Sequence, residues 1–244
     1  MNPPRSNNVR RLDRNDPFRF RCHPDVACFT ECCRRLDLSL SPYDVIQLRQ
    51  ATRLGSAAFL ERYVEIEGPD AGAFPLVFMA MDDTDAHRCP LVTAEGCSVY
   101  SHRPGACRTY PVGRAATLEP NGKVSDYHVI LHEDHCRGFR EERALTVGLW
   151  IDDQGIADYD HWNDRLLVLL QHQRFRDGHR LDPVQQERYL NVLYNLDEFR
   201  RELKGRSQLL TSIKEPPPEI ENADDLQLLE LGINLLCHEF FGDA

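Results

Sequence analysis

Cys22-His-Pro-Asp-Val-Ala-Cys28-Phe-Thr-Glu-Cys32-Cys33 places four of the chain's nine cysteines within twelve residues, two of them adjacent. Four more follow at Cys89, Cys97, Cys107 and Cys136, and Cys237 stands apart. Thiols concentrated like this serve disulfides, a metal or an iron–sulfur cluster, and compartment and spacing discriminate among them. Residues Met1 to Phe20 hold no continuous apolar stretch of the kind a secretory leader needs. No run approaches the roughly 18–20 apolar residues of a membrane span. The expectation is a cytoplasmic chain without a membrane partner, where thiols stay reduced. That weighs against disulfides and for a metal.

Thiolates are soft ligands, suited to zinc, copper(I) and iron–sulfur centres. Eight of them can make two four-thiolate zinc sites, one cluster with a second site, or one cluster with spare thiols. The paired Cys-x2-Cys pattern of a zinc ribbon is absent. The intervals are five, three and zero residues in the first block, then seven, nine and twenty-eight from Cys89 to Cys136. Neighbouring side chains in an extended segment project oppositely, so Cys32 and Cys33 reach two metals more easily than one. The pair implies a polynuclear centre or unequal roles.

Other residues near the cysteines also carry chemistry. His23, His87, His102, His132 and His135 can each replace a thiolate, although any single histidine is more often a surface or hydrogen-bonding group. Arg103 and Arg108 flank Cys107, where a guanidinium depresses a thiolate pKa and offsets cluster charge. An Arg–carboxylate structural pair is the equal alternative. Cys237 lies in an apolar helical pattern and reads as a buried structural thiol.

Going outward along the chain, Ser41-Pro42-Tyr43-Asp44 combines an N-cap, a first-turn proline and an acid three residues after the cap, predicting a helix that ends near Gly55. Ser56 is expected to cap a second helix through Tyr63 and Val64. Residues 67–75 read as a loop, and Leu76 to Met81 and Val124 to Leu131 as strands. From Thr146 the pattern turns helical: Thr146–Asp153 closed by Gly155, then Asp158 to Arg176, then a helix from Asp182-Pro183 through Phe199. After a break at Pro216–Pro218, a final helix runs from Asp224 to Phe241. The fold class expected is α+β: an irregular cysteine-rich metal-binding core with a few short strands, followed by a helical C-terminal region. The expected organisation is a flexible tail over 1–19, a cysteine-cluster domain over 20–140, and a helical region over 141–244 packed on it.

The 244 residues are 41% hydrophobic and 28% charged, an ordinary globular balance. The formal charge of -10 sits wholly in residues 141–244, with 11 basic and 21 acidic side chains, whereas residues 1–140 carry 18 of each. Six arginines between Arg5 and Arg21 make at most a local basic arm. This distribution argues against a nucleic-acid partner.

Taken together, Cys-x5-Cys-x3-Cys-Cys, Cys89-Pro-Leu, and Gly-Cys97-x-Val-Tyr100-x2-Arg103-Pro104-x2-Cys107-Arg108-x-Tyr110-Pro111, followed by Cys136, resemble the YkgJ-type cysteine-cluster family of zinc- or iron-chelating domains. The resemblance covers roughly residues 20–140. It implies Cys22, Cys28, Cys32, Cys33, Cys89, Cys97, Cys107 and Cys136 as metal ligands, with Tyr100, Arg103 and Arg108 around the cofactor. The x5 interval is longer than the family's commonest form, which makes Cys22 the least secure of the eight. In this domain the family resembles the flagellin lysine methylases, which implies S-adenosylmethionine as a further cofactor, yet the chain has no glycine-rich nucleotide-binding motif.

Three functions follow from this reading. One is an iron–sulfur protein, most simply 4Fe–4S, with a redox role or one supporting protein modification. The second is a zinc-stabilised, non-catalytic binding module. The third is an S-adenosylmethionine-dependent protein lysine methylase. In each the expected partner is a protein.

Overall fold

In a computed structural model the described residues are 9–34, 36–68, 72–83, 87–142, 144–205 and 222–242. They form a mixed α+β protein made of two compact units. One takes Met1–Leu38 with Met81–Asp164, the other Ser39–Ala80 with Arg165–Ala244. The eight clustered cysteines all fall in the first unit.

That first unit is framed by strands that pair over long sequence distances. Strand β1 (Val9–Leu12) runs antiparallel to β8 (Val124–Leu131), which in turn pairs with β7 (Val112–Leu118). Strand β2 (Pro17–Arg19) pairs with β9 (Ala144–Thr146). Residues 9–19, expected within a flexible tail, therefore hold two strands. The segment is arginine-rich, and only Leu12 and Phe18 of its two strands are buried. Its order comes from partners far along the chain, which local pattern does not show. Strand β7 was likewise not expected.

Helix α4 (Val147–Gln154) starts where the Thr146 hydroxyl accepts the Leu149 N–H and stops at Gly155 in the left-handed region, as the sequence predicts. Its Trp150 meets Phe18 and Phe20 edge to face, with ring centroids 6.1 and 5.5 Å apart.

The second unit is chiefly helical. Helix α1 (Pro42–Thr52) opens on the predicted cap: Ser41 Oγ accepts the Asp44 N–H at 3.2 Å, and Asp44 Oδ2 accepts the Ser41 N–H at 2.8 Å. Helix α2 (Ser56–Tyr63) differs from expectation, because Ser56 is its first residue and not its cap. Asp197 caps it instead, accepting the Ser56 N–H at 2.6 Å, while Ser56 Oγ donates to Asn195 Oδ1 at 2.7 Å. A residue 141 positions away does the work a local serine was expected to do.

Strands β3 (Val64–Glu67) and β4 (Leu76–Met79) form an antiparallel pair. The two long helices expected after Asp158 and Asp182 are each divided. The first becomes α5 (Ala157–Leu170) and α6 (Gln173–Arg176), the second α7 (Pro183–Leu193) and α8 (Leu196–Gly205). At the first break His172 caps α6, accepting the Arg174 N–H at 3.2 Å, and at the second Tyr194 donates to the distant Leu40 carbonyl at 3.1 Å. Helix α9 (Asp225–Phe241) supplies the apolar centre through Leu228, Leu229, Ile233, Leu235, Leu236 and Phe241. The expected break at Pro216–Pro218 lies outside the described residues. Among the described residues no helix is long and apolar enough to cross a membrane.

Candidate metal centre

The first cysteine block coils by successive turns. Val26 N–H bonds His23 O at 3.0 Å, Phe29 N–H bonds Val26 O at 2.8 Å, and Glu31 N–H bonds Cys28 O at 3.0 Å. Thr30, at φ 70°, leads into a short 3₁₀ turn over Glu31–Cys33. This coil turns Cys22, Cys28 and Cys32 toward one cavity of ≈ 20 Å³, and Cys136 joins them there. Cys136 arrives from the turn that follows β8, closed by its own N–H to Glu133 O at 2.9 Å. Phe20, Tyr110, His135 and Gly138 complete the wall. Gly138 is required there, because a Cβ would lie 2.6 Å from the Phe20 ring and 2.9 Å from Arg21 O.

Backbone N–H groups are aimed at the sulfurs. Arg137 N–H donates to Cys28 Sγ at 3.0 Å. Three cysteines each face the N–H two residues ahead: Gly138 for Cys136, Leu91 for Cys89 and Val99 for Cys97. Such donors stabilise thiolate over thiol and orient a ligand for its metal.

Without a cation the thiols resist ionisation. Cys22 is pushed up to about 11 by burial and then by the charges of Cys32, Cys28 and Cys136. Cys32 rises through its hydrogen bond with Cys33, then burial. Burial is also the chief cause of the upward shifts of Cys89, Cys97 and Cys136. A bound cation reverses both the burial penalty and the repulsion between neighbouring thiolates.

Cys33, Cys89 and Cys97 adjoin the first four. Cys89 N–H bonds Cys33 O at 2.8 Å, next to an antiparallel bridge between Arg34 and Arg88. A hairpin of β5 (Val92–Thr93) and β6 (Gly96–Cys97) presents Cys97, with Gly96 at φ +119° beside the Phe29 ring. Cys97 interacts electrostatically with Cys32, and Cys89 with Cys97. Cys107 sits on the short helix α3 (Gly105–Thr109), and its charge, like that of Cys97, acts on Arg103. None of the nine cysteines is joined in a disulfide. Among the described residues, no three His, Cys, Asp or Glu side chains are closed to metal-holding geometry. The structure brings Cys22, Cys28, Cys32 and Cys136 onto one cavity without drawing their sulfurs onto one point.

Among the described residues Arg103 and Arg108 make neither of the carboxylate pairs weighed from the sequence. Arg103 bonds Tyr100 O at 2.7 Å and Gln154 Oε1 at 2.6 Å, and stacks 3.8 Å over the Tyr100 ring. Arg108 bonds Gln154 O at 2.9 Å and Ser101 O at 2.6 Å. Both fasten the second cysteine loop to the end of α4 through neutral acceptors, and the charge of Arg103 acts on Cys97 and Cys107. Neither they nor Tyr100 lines the cavity.

Of the histidines, His135 lines the cavity. His23 faces Asp25 at 3.6 Å and Glu141 at 3.4 Å, His132 stacks on Phe139 at 4.0 Å, and His102 Nδ1 pairs with Ser101 Oγ at 2.9 Å. His87 is exposed. The sequence reading missed Tyr110 and Gly138 as parts of the site. The signal was present in the Arg-x-Tyr-Pro ending of the second block, where Tyr110 is the residue turned inward.

Four soft donors around one cavity, N–H groups on the sulfurs and nearby guanidinium groups fit a thiolate-held metal. They define a metal-chelating cysteine module. The profile of the CxxCxxCC family, described as "Putative zinc- or iron-chelating domain", matches residues 21–143, and the chain belongs to that family. Cys22 lies inside the matched range despite its long interval. No curated protein and no solved structure matches the chain. S-adenosylmethionine finds no support in these observations.

Proposed function

We propose that the protein holds an iron–sulfur centre on Cys22, Cys28, Cys32 and Cys136, with Cys33, Cys89, Cys97 and Cys107 forming an adjoining thiol set. The observation that supports this most is the convergence of sulfurs from either end of the first unit on one cavity, with a peptide N–H on Cys28. Iron is favoured over a lone zinc because the thiols exceed what one ion takes, and because Cys32 and Cys33 join the two sets. Such a centre supplies one-electron chemistry or a scaffold for a reaction on a partner protein. The free thiols suit a reducing compartment, and we place the protein in the cytoplasm. The charge balance of the cysteine half fits a protein partner better than a nucleic acid.

One observation favours a second reading. The cavity of ≈ 20 Å³ suits a single ion, so a structural zinc on the same four thiolates, stabilising the fold directly, is the alternative. Anaerobic isolation with elemental analysis and an absorption spectrum decides between them. Iron with sulfide and broad visible absorbance is expected. Colourless protein with stoichiometric zinc selects the alternative. A folded chain that takes up neither overturns both.

A further inference from the structure

Tyr110 carries an unexplained polar atom. Its ring meets Phe20 edge to face at 5.9 Å and lines the cavity with the four cysteines. The hydroxyl is buried and closes no hydrogen bond of good geometry. Its polar neighbours are the Cys136 sulfur and the Glu133 carboxylate. Glu133 has another partner in His135, 3.6 Å away. The hydroxyl thus lies between two acceptors without a well-formed hydrogen bond to either, and the acceptor that gains charge takes it. A neutral thiol accepts hydrogen bonds weakly, whereas a metal-bound thiolate offers charge and lone pairs to a phenolic O–H.

We propose that Tyr110 is a positioning residue of the metal centre, its hydroxyl donating to the Cys136 sulfur once that sulfur is a metal-bound thiolate. The inference rests on the four-cysteine site proposed above. The O–H···S bond fixes the Cys136 rotamer and stabilises the thiolate against protonation, so that the metal competes better with the proton for that sulfur. In an iron–sulfur centre it also raises the reduction potential.

The test uses the full chain titrated with cobalt(II) alone, because thiolate-to-cobalt charge transfer reports directly on sulfur. Tyr110→Phe is expected to bind cobalt about 10–100-fold more weakly. Its charge-transfer band should move to lower energy, with no loss of melting temperature in the metal-free protein. On a Cys136→Ala background the same substitution should change nothing further, because the two residues act through one bond. Unchanged affinity and band, or an effect that simply adds to Cys136→Ala, overturns the inference. If Tyr110→Phe does not fold, wild-type protein loaded with a spin-half cadmium isotope replaces it. A tyrosine hydroxyl proton coupled to the metal through sulfur is expected, and its absence overturns the inference. Wild-type protein that takes up no cobalt overturns the four-cysteine site itself, which separates that failure from a failure of Tyr110 alone.

Discussion

The backbone N–H of Arg137 points at the sulfur of Cys28 from 3.0 Å, across 109 residues of sequence. One hydrogen bond thus ties the first cysteine block to the turn that delivers Cys136, and places both on the same cavity wall.

The thiols should therefore divide by position. Cys28→Ser and Cys136→Ser are expected to lose most of the bound metal, whereas Cys237→Ser, on α9 of the other unit, should retain it. Metal content per chain after anaerobic isolation checks this.

Metal uptake should release protons. The Cys22 thiol, pushed up to about 11, is protonated at neutral pH and must ionise to become a ligand. Affinity should accordingly rise with pH, by about tenfold per pH unit for each thiol proton displaced. Zinc competition titrations at several pH values measure the slope, and a pH-independent affinity would contradict it.

Gly138→Ala forces a methyl group against the Phe20 ring and Arg21 O. The backbone O of Gly138 accepts the Arg21 N–H at 3.1 Å, so the strain passes to the segment carrying Cys22. A loss of about 1–3 kcal/mol is expected, together with weakened metal retention. Chemical denaturation of the metal-free and loaded protein separates the two effects.

Asp197→Ala removes the cap of α2, at a cost of about 1–2 kcal/mol. The same carboxylate carries a pH dependence. Burial alone would raise its pKa, but the Ser56 N–H and then the Arg49 guanidinium outweigh that and hold it below the usual carboxylate range. Its contribution is therefore complete above the unfolded value of about 3.9 and disappears as pH falls through the lower, folded one. Acid unfolding of wild type and Asp197→Ala should converge at low pH.

Much of this was legible in the residues. The Ser41 box, the helix start at Asp182-Pro183, the Gly155 stop and the α9 stripe are local patterns, and each formed as read. The cysteine block likewise announced its chemistry, because thiols at that density suit a soft metal ion or cluster. What stayed hidden depends on partners distant in sequence. Strand β1 exists because β8 lies beside it, the cap of α2 comes from Asp197, and the inward turn of Tyr110 is set by Phe20. Spacing alone also could not divide eight thiols into four around a cavity and four beside it.

The pairing of β1 with β8 and β2 with β9 bears on how the protein is made. A ribosome releases Cys22, Cys28 and Cys32 well before it releases the strands that order them. During that interval the nascent thiols stand exposed, open to oxidants and to stray ions, with Cys136 still to be translated. On the four-cysteine site proposed above, a complete ligand set exists only once Cys136 has left the ribosome, so the centre can form only after most of the first unit has been made.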